Sequence, residues 1–135
     1  MPFRVLLAED NQADADLLAE CVEDWKRPVK LMHVLDGQQA IEQLRQRPVP
    51  DLVLLDLNMP LRGGLEVLEE MKNDPKLRLI PVIILTSSAA PSDIRAAYER
   101  HANTFFQKPM DIDDYQDLLK LIEIYWSQRA QRPRL

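Results

Sequence analysis

Leu52-Val53-Leu54-Leu55-Asp56-Leu57-Asn58-Met59-Pro60 decides how the rest of the chain is read. Four consecutive apolar residues, with neither strand alternation nor helical spacing, describe a short strand covered on both faces, as the inner strands of a parallel sheet are. The run ends on a carboxylate, Asp56. From Met59-Pro60 to Gly63-Gly64 a loop leads into a helix carrying Leu65, Leu68 and Met71.

The same plan extends in both directions. Phe3 to Ala8 reads as a buried strand that ends in Glu9-Asp10-Asn11, and a helix follows with Leu17, Leu18, Cys21, Val22 and Trp25 on one face until Pro28 stops it. Val29 to Leu35 is a second strand, polar enough at Lys30 and His33 for a sheet edge. Asp36-Gly37 then turns into a helix with Ala40, Ile41 and Leu44. Downstream, Val82 to Leu85 is a fourth strand, followed by a helix bearing Ile94, Ala97, Tyr98 and His101. Thr104 to Gln107 is a fifth strand, and a last helix is expected from about Asp111 to Arg129, its acidic start matched to the positive end of the helix dipole. The 10 prolines fall at these boundaries or near the ends, where they break nothing. Five strand-then-helix units predict an α/β fold, a doubly wound five-stranded parallel sheet with helices on both faces.

Composition narrows the function. With 46% hydrophobic residues, a 135-residue chain can bury one sizeable core, so a single domain over 1–135 is expected, its core at about 3–128 and a basic tail at 129–135 with Arg129, Arg132 and Arg134. The net charge of −5, from well-mixed acids and bases, argues against nucleic-acid binding through phosphates. A lone cysteine, Cys21, excludes an internal disulfide and suits a reducing compartment. No apolar stretch is long enough to cross a bilayer, so a cytoplasmic protein is expected.

In a parallel sheet the residues just past each strand gather along one edge. Here these are Glu9 and Asp10, Asp56, Thr86 and Lys108. Three carboxylates held together need a proton or a cation, and an oxygen-only set suits Mg²⁺, with Mn²⁺ as an alternative, rather than Zn²⁺, for which His33 and His101 are badly placed. A carboxylate beside such a cation can attack phosphorus and form an acyl phosphate. That makes Asp56 the candidate nucleophile, with Lys108 and Thr86 placed to contact the phosphoryl oxygens. Any single acid past a strand is better explained as a helix cap or a surface-loop residue; Asp93 and Asp111 to Asp114 keep that explanation as helix starts, and Glu9 keeps it too, or holds metal-bound water instead of binding the cation directly. Compatible residues at four strand ends outweigh it for the set.

Taken in order, Leu7-Ala8-Glu9-Asp10-Asn11, Leu54 to Pro60 with Gly64, Leu85-Thr86-Ser87-Ser88 and Phe105-Phe106-Gln107-Lys108-Pro109 resemble the receiver domains of bacterial two-component response regulators over nearly the whole chain. The resemblance implies the flavodoxin-like strand order 2-1-3-4-5, Asp56 as phosphoacceptor, and a metal held by Asp10 and Asp56, with Glu9 assisting and the Asn58 backbone carbonyl completing the set. It gives Thr86 and Phe105 the role of switch residues, Asn58 and Ser88 that of tuning phosphate lifetime, and Lys108-Pro109 a step that is often cis. The implied activity is a signalling switch that catalyses only its own phosphorylation and dephosphorylation, not an enzyme acting on external substrates. A phosphatase with an aspartyl-phosphate intermediate would need a general acid two residues past the nucleophile, where Asn58 stands. A phosphate-independent adaptor would not need Asp10, Asp56, Thr86 and Lys108 together.

Glu9 to Asp14, Asp36-Gly37, Tyr98 to Asn103 and Ile122-Glu123-Ile124-Tyr125-Trp126 further resemble small regulators paired with phytochrome-type sensor histidine kinases. The expected partners are such a kinase, a downstream protein or phosphotransfer partner, and a second copy of the chain, docked through the side formed by the fourth helix, fifth strand and fifth helix. On the last helix Tyr115, Leu118, Leu119, Ile122, Tyr125 and Trp126 form a core stripe, while Leu121 and Ile124 widen it beyond one buried face. His101 is expected near a helix end, in a favourable dipole interaction.

Overall fold

Leu52, Val53, Leu54 and Leu55 have no exposed surface, because both faces of their strand are covered by helices. The computed structural model, which describes residues 2–133, runs β1 (Phe3–Ala8), α1 (Gln12–Glu23), β2 (Val29–Val34), α2 (Gly37–Leu44), β3 (Leu52–Leu55), α3 (Gly64–Lys72), β4 (Val82–Thr86), α4 (Pro91–Glu99), β5 (Thr104–Gln107) and α5 (Ile112–Ile122). All strand pairs are parallel and the order is β2-β1-β3-β4-β5. Side chains alternate across the sheet. Leu6, Ala8, Val53, Leu55, Val82 and Ile84 pack toward α2, α3 and α4, whereas Val5, Leu7, Leu52, Leu54, Ile83 and Leu85 pack toward α1 and α5. Each buried Val, Leu or Ile side chain among these contributes about 1.5–3 kcal/mol relative to exposure, so the two layers together fix the strand register.

Side-chain caps start three helices. The Asn11 side-chain Oδ1 accepts from Asp14 N–H at 3.0 Å, Asp36 Oδ1 from Gln39 N–H at 2.8 Å, and Asp111 Oδ1 from Asp113 N–H at 2.7 Å. At α3 the determinant is glycine. A Cβ at Gly64 would collide with the Asp56 carbonyl oxygen and the Leu57 Cα, so only glycine lets this helix start against the backbone that carries Asp56.

Several expectations are corrected. The second strand stops at Val34, and Leu35 is exposed. Ala15 and Val67 belong to the core, whereas Leu65 is only half-buried. The helix of Ile94 and Ala97 ends at Glu99, so His101 is not on its face: His101 adopts φ 66° past the end, donating its N–H to Tyr98 O at 2.9 Å while Ala102 N–H reaches Ala97 O at 3.0 Å. This paired closure, with buried Ala102 behind it, makes His101 the residue that terminates α4. Tyr98 is half exposed, and its hydroxyl accepts from Phe105 N–H at 3.1 Å on the free edge of β5.

The last helix stays α-helical only to Ile122, and Glu123–Arg129 is a π-helical turn. The wider winding carries Tyr125 out of the core, where it is 58% exposed, and brings the Glu123 carboxylate fully inside. There Glu123 Oε2 accepts from Lys26 N–H at 2.6 Å and from Gln128 Nε2 at 3.2 Å, while Oε1 has the Lys120 ammonium at 2.8 Å as an ion-pair contact. Beyond it the basic segment is docked: Arg132 pairs with Asp51 at 2.9 Å and lies 4.8 Å from the centre of the Phe3 ring. Arg134 lies outside the described residues. Among those described, the cis peptide bond is Arg47–Pro48, and Lys108–Pro109 is trans. Lys108 is oriented by its bonds instead.

Candidate functional site

The ends of β1, β3, β4 and β5 bring Glu9, Asp10, Asp56, Thr86 and Lys108 together at one edge of the sheet, as their positions past the strands predict. Asp56 is buried and its two oxygens have different surroundings. Oδ1 accepts from the Thr86 hydroxyl at 2.7 Å and from Asn58 N–H at 3.1 Å, while Oδ2 faces the Lys108 ammonium at 3.0 Å. Burial opposes ionisation of Asp56. The hydrogen bonds from Asn58 N–H, Thr86, Glu9 and Lys108 outweigh it and hold the carboxyl below the usual carboxylate range. Asp56 is therefore an anion at neutral pH, the form a nucleophile requires.

Glu9 behaves oppositely. Desolvation pushes its pKa up to about 7, reinforced by the neighbouring Asp56, although Lys108 pulls it down. Its backbone is held by His33, whose Nε2 lies 2.8 Å from the Glu9 carbonyl oxygen, and by the bond from Glu9 N–H to Val34 O at 3.0 Å. Asp10 is exposed at the mouth.

Carboxylate oxygens of Glu9, Asp10 and Asp56 lie within 4.8 Å of one another. Three hard oxygen donors, two buried and one open to solvent, fit a divalent cation that keeps part of its water shell. The Lys108 ammonium meets Glu9 at 2.5 Å, Asp56 at 3.0 Å and Asp14 at 2.9 Å, and its backbone N–H donates to Thr86 O at 2.7 Å. Lys108 loses hydration through burial, yet these three acids raise its pKa, so it remains protonated.

Asp14 is the site residue that strand-end reasoning missed. It sits in the first turn of α1, one helical turn beyond Asp10, and helical spacing from the strand end is the signal that could have found it. Phe105 is half-buried on β5 and packs on the layer of α3 and α4. The Ser88 hydroxyl donates to Asp93 Oδ2 at 2.6 Å, in the first turn of α4. No helix among the described residues is long and apolar enough to cross a membrane.

Comparison with known proteins gives one family. The profile described as response regulator receiver domain matches residues 5–120. The chain is 38% identical over 130 residues to the probable methanogenesis regulatory protein FilR2 of Methanothrix harundinacea, covering 93% of this chain and 84% of that one. It is 36% identical over 138 residues to response regulator Rcp1 of Synechocystis sp., covering 98% and 94% respectively. A solved structure of the Mn²⁺-bound form of Rcp1 superposes with a TM-score of 0.93 over 98% of this chain and 100% of that one. The phosphorylated cyanobacterial phytochrome response regulator RcpA, 36% identical, superposes with a TM-score of 0.95 over 99% and 100%. The cluster of Glu9, Asp10 and Asp56 fits the divalent-metal site of this class of domain.

Proposed function

The chain belongs to the response regulator receiver domains, and from that premise we propose that Asp56 accepts the phosphoryl group from a phosphohistidine of a sensor histidine kinase. The observation that carries this reading is the setting of Asp56: buried, and held through both oxygens by Thr86, Asn58 N–H and Lys108. In the transfer, an Asp56 oxygen forms the new bond to phosphorus as the bond from phosphorus to the histidine nitrogen breaks. The imidazole keeps that electron pair and takes a proton from solvent. Glu9, Asp10, Asp56 and the Asn58 backbone carbonyl are the groups that would hold the cation, Mg²⁺ or Mn²⁺. When bound, it supplies the positive charge that lets two anions approach.

Lys108 and Thr86 then serve the product. Each already contacts an Asp56 oxygen and can turn to a phosphoryl oxygen, the ammonium as a charge-assisted donor and the hydroxyl as a neutral one. Thr86 moving toward the phosphate frees space beside β5, into which Phe105 can follow. The surface of α4, β5 and α5 thereby reports phosphorylation. Asn58 and Ser88 tune the acyl phosphate lifetime, Ser88 through its hold on Asp93 at the start of α4. The chemistry is confined to the chain's own carboxylate, with no external substrate turned over.

A phytochrome-type kinase is the upstream partner that the relatives named for phytochrome signalling support. A downstream or phosphotransfer protein receives the signal in the cytoplasm, where Cys21 stays a free thiol. A second copy of the chain docks on the α5 side. Exposed Leu121, Ile124 and Tyr125 support that contact, as does the groove of about 290 Å³ between β5 and α5, lined by Thr104, Phe106, Leu121 and Trp126 among others.

Intact mass after incubation with a small acyl phosphate tests the central assignment. One added phosphoryl group is expected with Mg²⁺ present, and none without Mg²⁺ or in Asp56→Asn. A folded, cation-binding wild type that gains nothing from acyl phosphate or from phosphorylated sensor kinase would overturn it.

A further inference from the structure

Lys108 has three ammonium protons and three carboxylates around them, and these three are not equivalent. Glu9 and Asp56 are members of the acidic cluster, whereas Asp14 stands outside it, on the first turn of α1. A divalent cation and an ammonium cannot both neutralise Glu9 and Asp56 without strong mutual repulsion. The Lys108 backbone is fixed by its N–H bond to Thr86 O at 2.7 Å, so relief has to come from the side chain. The Lys108 side chain is only 10% exposed, and escape into water is therefore restricted.

We propose that Asp14 is a positioning residue that receives the Lys108 ammonium when a divalent cation takes its place among Glu9, Asp10 and Asp56. Asp14 is suited to this by distance, 2.9 Å from Lys108 Nζ already, and by partial exposure of its carboxylate, 37%, which leaves it hydrated on its far side. The Asn11 cap, which binds Asp14 N–H, fixes the Asp14 backbone against the loop that carries Glu9 and Asp10. Lys108 thus remains next to the site, charged and partnered, ready to turn back to a phosphoryl oxygen once one is present. Asp14 sets how strongly Lys108 competes with the cation.

This inference rests on the acidic cluster being the cation site, and the experiment separates the two. Mn²⁺ affinity is measured by calorimetry and water-proton relaxation on the full chain, for the wild type, Asp14→Asn, Asp14→Glu, Lys108→Ala and the Asp14→Asn/Lys108→Ala double variant. Thermal melting of each cation-free protein is recorded alongside. Lys108→Ala is expected to bind Mn²⁺ more tightly and Asp14→Asn about tenfold more weakly, one unit of log affinity, with Asp14→Glu restoring it. In the Lys108→Ala background the Asp14→Asn loss should shrink to about twofold, the part owed to distant charge alone. An equal loss in both backgrounds, no loss in either, or weaker binding by Lys108→Ala would overturn the role of Asp14. A wild type that binds no Mn²⁺ would instead overturn the cation site itself.

Discussion

The Thr86 hydroxyl donates to Asp56 Oδ1 at 2.7 Å between the ends of β4 and β3, with Thr86 fully buried. A neutral donor to a buried anion is worth more than an ordinary hydrogen bond, roughly 1.5–3 kcal/mol. Thr86→Ala should therefore lower unfolding free energy by about 2 kcal/mol in urea titrations, and Thr86→Ser by clearly less. In the same variant the Asp56 carboxyl, having lost one stabilising donor, should titrate at a higher pH by ¹³C NMR. Unchanged stability and titration would mean that the hydroxyl does not hold the ionised carboxylate.

Glu9 gives the cation affinity a pH dependence. Burial pushes its pKa up to about 7 in the fold from the ordinary 4.5 of a glutamate, so between these values the folded chain keeps a proton that the unfolded chain has released. The Glu9 contribution to the stability of the cation-free protein consequently falls as pH rises across that window, and levels off above about 7. Cation binding runs the other way, since the carboxyl must lose its proton to act as a ligand. Mn²⁺ affinity should rise by up to about tenfold per pH unit below 7 and flatten above it, with Glu9→Gln abolishing the slope. Calorimetry in buffers of different ionisation heat would count the released proton. A flat profile across the same range rules out Glu9 as its source.

The α5 surface makes a prediction about assembly. Leu121 is 57% exposed and Tyr125 58%, and both line the groove beside β5. Sedimentation of the wild type should show a dimer whose population grows with concentration, and Leu121→Glu should be a monomer with an unchanged melting temperature, because its side chain packs on little within its own copy. A wild type that stays monomeric at every concentration, phosphorylated or not, excludes the contact.

What the sequence made legible follows from which forces act locally. A continuous apolar run as short as Leu52 to Leu55, bounded by turn signals, fits a strand covered twice better than a helix, and a parallel sheet puts the carboxylates, hydroxyl and lysine that follow the strands on one edge. Strand order is not encoded in periodicity and came from family resemblance. Asp14 was hidden because an acid in a first turn is already explained by the helix dipole, and nothing local announces that Lys108, far along the chain, will reach it. The phase of the last helix failed at Ile122 for a different reason. A 3.6-residue spacing keeps Tyr125 near the core stripe, whereas the π turn that moves it outward is stabilised by distant partners, Glu123 with Lys26 N–H and Arg132 with Asp51 and Phe3.

The bond from Phe105 N–H to the Tyr98 hydroxyl has a meaning beyond its own strand. β5 is an outer strand, and an outer strand with free amide groups is a template onto which another strand can be added, the first step of runaway sheet growth. Tyr98 occupies the bonding direction at the middle of that edge, so a foreign strand would have to displace the phenol before it could register with β5. The same tyrosine, reaching from α4 to β5, thereby closes one amide of this edge to a foreign strand and leaves side-chain contacts as the means of association at that point.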